Sequence, residues 1–159
     1  MKKSTKILLI VLGGAGLLFV GTLGACVVGI AYIASDPPGV QVEVDGPSFV
    51  ALDEEFELTV TVENQRADDP FELSSIDLAD VYLDGFMLLN TIPRARSSEH
   101  IPIDNTRSFA FNRSLPPGES AQFTFRLKPV KAGIYRGDID VVEGMRFTSV
   151  LAQTAVQDD

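Results

Sequence analysis

Residues 56–64 read FELTVTVEN and carry the clearest structural signal in the chain. Apolar side chains alternate with polar ones, beginning with Phe56 and Leu58 on one face and Glu57 on the other. A period of two is typical of a β-strand with one buried face, and threonine and valine are favoured in strands. The stretch therefore predicts a sheet with one side against a core.

The same alternation recurs on both sides of this strand, at 40–45, 71–83, 109–111, 122–128, 134–142 and 145–156. Turn-forming residues separate these segments, and Asp84-Gly85 in particular predicts a tight hairpin. We count about seven to eight strands and no helix after residue 39. Since each strand has one apolar face, we predict that two antiparallel sheets pack as a β-sandwich.

Residues 86–107 break the alternation. The segment from Asn90 to Arg107 is the one long stretch that the pattern predicts to be irregular, and loops of that length are functional or disordered. A strand buries only every second residue on one face, so part of the apolar material here should stay exposed as a contact patch. The candidate contact residues are Phe86, Met87, Leu88, Leu89, Ile92, Ile101 and Ile103. Alternatively, the segment folds back and covers an edge of the sandwich.

A run of 27 uncharged residues, from Ile7 to Ile33, precedes the strands. As a helix it would be about 40 Å long, against about 30 Å for the hydrocarbon core of a bilayer. The sequence therefore predicts a basic tail at 1–6, a transmembrane signal-anchor helix at 7–35, a linker at 36–39 and the β-domain at 40–159.

Charge is distributed unevenly about the apolar run. Lys2, Lys3 and Lys6 precede it, whereas all 22 acidic residues follow it together with 10 basic ones. Since basic residues stay on the cytoplasmic side, the N-terminus should be cytoplasmic and the domain extracytoplasmic, on a plasma (inner) membrane. The acidic domain would be repelled by nucleic acid and by anionic lipid, so we expect neither as its ligand.

The single cysteine, Cys26, lies inside the apolar run, so the domain can form no intrachain disulfide. A disulfide-free extracytoplasmic domain favours a bacterial envelope protein. Leu23-Gly24-Ala25-Cys26 is similar to a lipobox, which leaves acylation at Cys26 open, and cleavage near Ala31 or Ser35 also stays open. Gly21, Ala25 and Gly29 form a stripe that would let another helix pack closely, in a homo-oligomer or a membrane complex.

Residues suited to catalysis or metal binding are scarce. His100 is the only histidine, which excludes a multi-histidine metal site. The acidic clusters lack the spacing of a calcium loop. We therefore predict no catalytic, cofactor-binding or metal-binding residues.

Four short motifs resemble bacterial immunoglobulin-like surface modules, the CARDB type among them: FELTVTVEN at 56–64, VYLDG at 81–85, LPPGES at 115–120 and GIYRG at 133–137. The resemblance implies an extracellular module for adhesion, spacing or assembly, with no shared catalytic residues. We therefore expect a non-enzymatic, membrane-anchored protein that binds another envelope protein. The alternatives are an accessory single-span subunit of a membrane complex and a lipoprotein acylated at Cys26.

Overall fold

The structure, a computed structural model, describes residues 36–158. The predicted β-sandwich is confirmed, because almost every regular element in this part of the chain is a strand. The elements are β1 (Val40–Asp45), β2 (Phe49–Ala51), β3 (Phe56–Asn64), β4 (Phe71–Ala79), α1 (Asp80–Leu83), β5 (Phe86–Ile92), β6 (Ser97–Ile101), β7 (Thr106–Leu115), β8 (Ser120–Pro129), β9 (Gly133–Glu143) and β10 (Arg146–Gln157).

The strands form two sheets, a four-stranded one in the order β1-β3-β8-β5 and a six-stranded one in the order β2-β10-β9-β4-β7-β6. The prediction of about seven to eight strands was too low, because ten are present among the described residues. The prediction of wholly antiparallel sheets was also wrong for one pair, since β2 runs parallel to β10.

Alternate residues of the central strands meet in the core between the sheets. Val60 and Val62 of β3 are fully buried, as the alternation predicts. Aromatic rings join the two layers: the centroids of Phe109 and Phe125 lie 5.2 Å apart, and those of Phe111 and Phe123 lie 4.6 Å apart. Burying one such side chain contributes roughly 1.5–3 kcal/mol, so this layer supplies much of the stability.

The predicted hairpin at Asp84-Gly85 is absent. The strand before it, β4, belongs to the six-stranded sheet, whereas β5 belongs to the four-stranded sheet, so the chain crosses the sandwich here. The prediction of no helix after residue 39 was wrong, because the short helix α1 makes the crossing. It buries Tyr82, whose hydroxyl lies 3.0 Å from that of Thr154. The turn dipeptide was read correctly as a change of direction, but its local chemistry does not encode which sheet follows.

The prediction of an irregular segment from Asn90 to Arg107 was wrong. The segment contains the end of β5, a turn with a cis Ile92–Pro93 bond, and all of β6. Strand β6 pairs with β7 and forms an edge of the six-stranded sheet. Its residues, SSEHI, are mostly exposed and polar, so they give no alternating signal.

The predicted linker at 36–39 is held against the domain. Pro37 is buried. Arg146 donates a hydrogen bond to the carbonyl of Asp36 at 2.6 Å, and Arg66 donates to the carbonyl of Pro38 at 3.0 Å. These contacts make the segment part of the folded body.

Several predictions fall on residues 1–35, outside the described part of the chain: the tail, the span, Cys26 and the stripe of Gly21, Ala25 and Gly29. Within residues 36–158, no helix has the length and apolar character needed to cross a membrane.

Candidate functional site

The candidate site lies where the two sheets end side by side, between β5 and β6. Each of these strands is the last in its sheet, so one side of its backbone is not paired with another described strand. A groove of about 540 Å³ runs between them, with Leu88 and Leu89 of β5 on one side and Phe109 of β7 on the other. Unpaired strand edges beside apolar side chains are an arrangement that can bind an added strand.

A second groove, of about 420 Å³, continues from Leu88 toward α1 and is also lined by Leu83, His100 and Asp80. The Nδ1 atom of His100 lies 3.2 Å from a carboxylate oxygen of Asp80. Both side chains are substantially exposed, so this pair contributes little to stability. The pair lies at the polar end of the second groove.

The seven predicted contact residues divide by exposure. Leu89, 36% exposed, lines the first groove, whereas Met87 and Ile92, 48% and 55% exposed, lie opposite Lys128 and Thr124 of β8 on the outer face of the four-stranded sheet. Leu88 and Ile101 are half-buried. Ile103 is highly exposed but lies in the turn after β6 and lines neither groove.

Phe86 is not available as a contact residue, and its inclusion is corrected here. It is only 7% exposed, and its ring centroid lies 5.1 to 5.2 Å from those of Phe56, Tyr82 and Tyr135. The register between β5 and β8 shifts between Leu88 and Asn90, so Leu89 is an extra residue in the strand. The bulge accounts for Leu89. Met87 keeps the regular register opposite Lys128 and is an exposed apolar residue on the outer face.

Two arginines line the first groove, in a domain that is acidic as a whole. The backbone of Arg96 donates to the carbonyl of Ala110 at 2.8 Å, and its Nε donates to the carbonyl of Phe111 at 3.1 Å. These bonds fix Arg96 at the groove wall, while Arg94 is exposed beside it. The groove therefore combines apolar side chains with positive charge.

The sequence reasoning missed a second apolar surface, on the outer side of the six-stranded sheet. We call it the outer β10 face. Its large exposed side chains are Phe49, Ile134, Met145, Phe147 and Leu151. The signal was present in β10, where apolar residues occupy both alternate sets of positions, Phe147 and Leu151 in one and Val150 and Val156 in the other.

Beside this face lies an acidic groove of about 410 Å³ that contains Asp77, Asp104, Asp138 and Asp140. Burial raises the pKa of Asp140; a hydrogen bond from Ser149 opposes this, and the charges of the other three aspartates raise it further. One carboxylate oxygen of Asp77 is buried and has no hydrogen-bond partner among the described residues. None of the described residues form a group of three or more acidic, histidine or cysteine side chains able to hold a metal ion.

No protein-family model matches the sequence, and no curated protein matches it either. Solved structures share the fold. A cohesin module from a family 33 glycoside hydrolase of Clostridium perfringens has a TM-score of 0.51 at 12% identity, over 76% of this chain and 98% of that chain. The protein AvmM, which catalyses macrocyclization in alchivemycin A biosynthesis, has a TM-score of 0.50 at 12% identity, over 77% and 91%.

The neighbours also include a CARDB domain, the type that the sequence motifs resemble. This domain, of the PF1109 protein from Pyrococcus furiosus, was solved in complex with di-metal ions. Its TM-score is 0.48 at 20% identity, over 79% of this chain and 99% of that chain. At these identities the likenesses show a β-sandwich fold alone, since one fold carries many functions.

Proposed function

We propose that this chain is a non-catalytic, membrane-anchored envelope protein whose β-sandwich binds a partner protein in the groove between β5 and β6. The observation that carries the proposal is the exposure of Met87, Leu89 and Ile92 on β5, an edge strand that has one side unpaired among the described strands. Edge strands are usually protected by charges, by proline, by a β-bulge or by a covering segment. Strand β5 contains a bulge at Leu89 but still exposes three large apolar side chains, which fits a surface that a partner covers.

The free edge of β5 favours binding by strand addition. An extended segment of the partner would pair with the backbone of β5, and its side chains would enter the groove beside Leu88 and Leu89. Arg94 and Arg96 favour a segment that carries acidic residues, because opposite charges increase the association rate and select the register.

The membrane part of the proposal rests on the sequence. The uncharged run from Ile7 to Ile33 is long enough to span a bilayer, and the lysines before it favour a cytoplasmic N-terminus. The intact mass of the membrane-extracted chain tests the alternative at Cys26, because cleavage and acylation would change the mass from that of the full chain.

Site-specific photo-crosslinking in the native host tests the binding site. A crosslinker placed at Leu89 or Ile92 should give one discrete adduct, whereas a crosslinker at Gln41, exposed on β1 at the opposite edge of the four-stranded sheet, should give none. Leu89→Lys should abolish the adduct formed from position 92, and Gln41→Lys should leave it unchanged. No adduct at either β5 position, or equal adducts at all three, would refute the proposal.

A further inference from the structure

The outer β10 face exposes several large apolar side chains. Phe147 is 46% exposed and Leu151 is 48% exposed, and Phe49 and Ile134 lie further along the same face at 68% and 74%. The solvent side of an antiparallel sheet is normally polar. Exposed apolar patches with a polar border mark an interaction surface. Here Gln153 and Arg136 separate Phe147 and Leu151 from Phe49 and Ile134.

The strand register places carboxylates directly beside these apolar residues. On β10, Phe147, Ser149 and Leu151 point outward; on β9, Val142, Asp140 and Asp138 lie opposite them in that order. Asp77 of β4 lies opposite Asp140 on the other side of β9. Neighbouring strands are about 4.8 Å apart, so Phe147 and Leu151 lie beside an acidic column formed by Asp138, Asp140 and Asp77.

Among the described residues, the positive charge on this face does not balance the acidic column. Arg136 is exposed on β9 opposite Gln153, two positions from Asp138, and is a single positive charge against four aspartates. Asp140 accepts a hydrogen bond from the hydroxyl of Ser149, which is uncharged. The buried oxygen of Asp77 has no hydrogen-bond partner among the described residues.

We propose that the outer β10 face is a second docking surface, specific for a protein segment that presents lysine or arginine beside apolar side chains. Such a side chain has an apolar stem and a charged head. Its stem can lie on Phe147 and Leu151 while its head reaches Asp138 and Asp140. A second copy of the same face is disfavoured, because pairing would bring two sets of carboxylates together.

This surface is separate from the groove between β5 and β6, so the two proposals can be tested independently. Random 12-residue peptides displayed on phage are selected against the full chain in phosphatidylcholine nanodiscs, with empty nanodiscs used for subtraction. The selected peptides should be enriched in lysine and arginine next to leucine, isoleucine or phenylalanine. A synthetic peptide of the most enriched sequence is then the probe for affinity measurements.

Binding measurements on substituted chains then show which surface binds the peptide. Asp138→Asn with Asp140→Asn, and separately Leu151→Ser, should each weaken its binding at least tenfold. The charge-matched control Glu43→Gln with Glu63→Gln, on the four-stranded sheet, should change binding less than twofold, as should Leu89→Lys. Raising sodium chloride from 50 to 300 mM should also weaken binding, because the attraction is between charges.

Three results would overturn the inference. In the first, no peptide is enriched, or the enriched peptides are neutral or acidic. In the second, binding is lost with Leu89→Lys but not with the aspartate variants, which would place the peptide in the β5–β6 groove and leave the proposed function intact. In the third, the full chain self-associates in a manner abolished by Leu151→Ser, which would make a second copy the occupant.

Discussion

Arg66 and Glu143 form a bidentate ion pair, with Nη1 to Oε1 at 2.9 Å and Nη2 to Oε2 at 2.6 Å. Their side chains are only 16% and 19% exposed. Arg66 also donates to the carbonyl of Pro38, and Glu143 accepts from the backbone N–H of Glu72. The pair therefore joins the incoming segment to the end of β9 and the start of β4.

Replacing Arg66 by methionine should destabilise the domain by about 2 kcal/mol, because it leaves the partly buried carboxylate of Glu143 without its charged donors. The matched control is Arg126→Met. Arg126 pairs with Glu55 at 3.0 Å, but the two side chains are 40% and 51% exposed. That control should lose less than about 1 kcal/mol. Urea unfolding of both variants measures the difference, and equal losses would contradict the role assigned to Arg66.

The Arg66–Glu143 pair also predicts a dependence of stability on pH. Burial alone would raise the pKa of Glu143, but hydrogen bonds from Arg66 and from the backbone of Glu72, with the charges of Arg66 and Arg146, lower it below its ordinary value of 4.5. When the pKa of a carboxyl group is lower in the folded than in the unfolded state, its ionised form stabilises the fold at pH values above the unfolded pKa. That stabilisation is lost as pH falls through the folded pKa.

The stability difference between the wild type and Glu143→Gln should thus be constant from pH 7 to about pH 5 and shrink below it. Urea unfolding at pH 7, 5, 4 and 3 measures this difference. A difference that does not change down to pH 3 would show that the carboxylate is not the stabilising form.

Asn64, the last residue of β3, is fully buried, so even a small change to its side chain should be strongly destabilising. Its Nδ2 donates to the carbonyls of Leu115 at 2.8 Å and Asp69 at 3.0 Å, and its Oδ1 accepts from the N–H of Arg66 at 3.1 Å. Asn64→Asp removes both donated bonds and sets a carboxylate against two carbonyl oxygens.

We expect Asn64→Asp to cost about 3–5 kcal/mol at pH 7, as for an uncompensated buried charge. Acid pH should restore part of this loss by protonating the carboxylate. Asn90→Asp, at an exposed position of β5, is the control and should change the unfolding free energy by less than about 0.5 kcal/mol. A similar small effect at Asn64 would contradict its bridging role.

Adding a side chain at Gly85 should cause a steric clash without backbone strain. A Cβ atom at this position would lie 2.2 to 2.5 Å from three ring atoms of Tyr135, whereas one at Gly118 would meet nothing within 4 Å. Gly85→Ala should therefore displace the Tyr135 ring and cost about 1–3 kcal/mol. Gly118→Ala should cost about 1 kcal/mol through its φ of +76° alone. Near-ultraviolet circular dichroism should change for the first variant only.

Asp140 predicts a pH dependence of the opposite sign. Its pKa is raised by burial and by Asp138, Asp77 and Asp104, despite the opposing hydrogen bond from Ser149. When the pKa of a carboxyl group is higher in the folded than in the unfolded state, its protonated form stabilises the fold at low pH. That stabilisation is lost as pH rises through the folded pKa. Asp140→Asn should therefore be more stable than the wild type at pH 7, and the gap should close below the ordinary value of 3.8. A variant less stable at pH 7 would contradict the repulsion.

How far the sequence predicts this fold depends on how strongly each element alternates. The signal in β3 is complete, with every second residue buried, and the strand lies where it was expected. Strand β2 has three residues and β6 is polar, so neither can be recognised from an alternation of apolar and polar residues. The route of α1 between the sheets depends on where Tyr82 is buried, and no local residue encodes that.

The candidate sites divide in the same way. The exposure of Met87 and Leu89 was predictable, because a run without alternation cannot be buried on one face. Phe86 was misplaced, since its burial depends on aromatic partners from three other parts of the chain. The outer β10 face was missed because its acidic column comes from β9 and β4, which are brought beside β10 only by strand order.

The parallel pairing of β2 with β10 bears on how the module responds to a mechanical load. Asp36 lies beside Arg146, the first residue of β10, and Gln157 ends that strand about 36 Å away at 3.3 Å per residue. A pull between these two points acts along β10, while its hydrogen bonds to β9 and β2 run across the direction of tension. Those bonds share the force in shear instead of opening one after another, a geometry suited to a domain under traction.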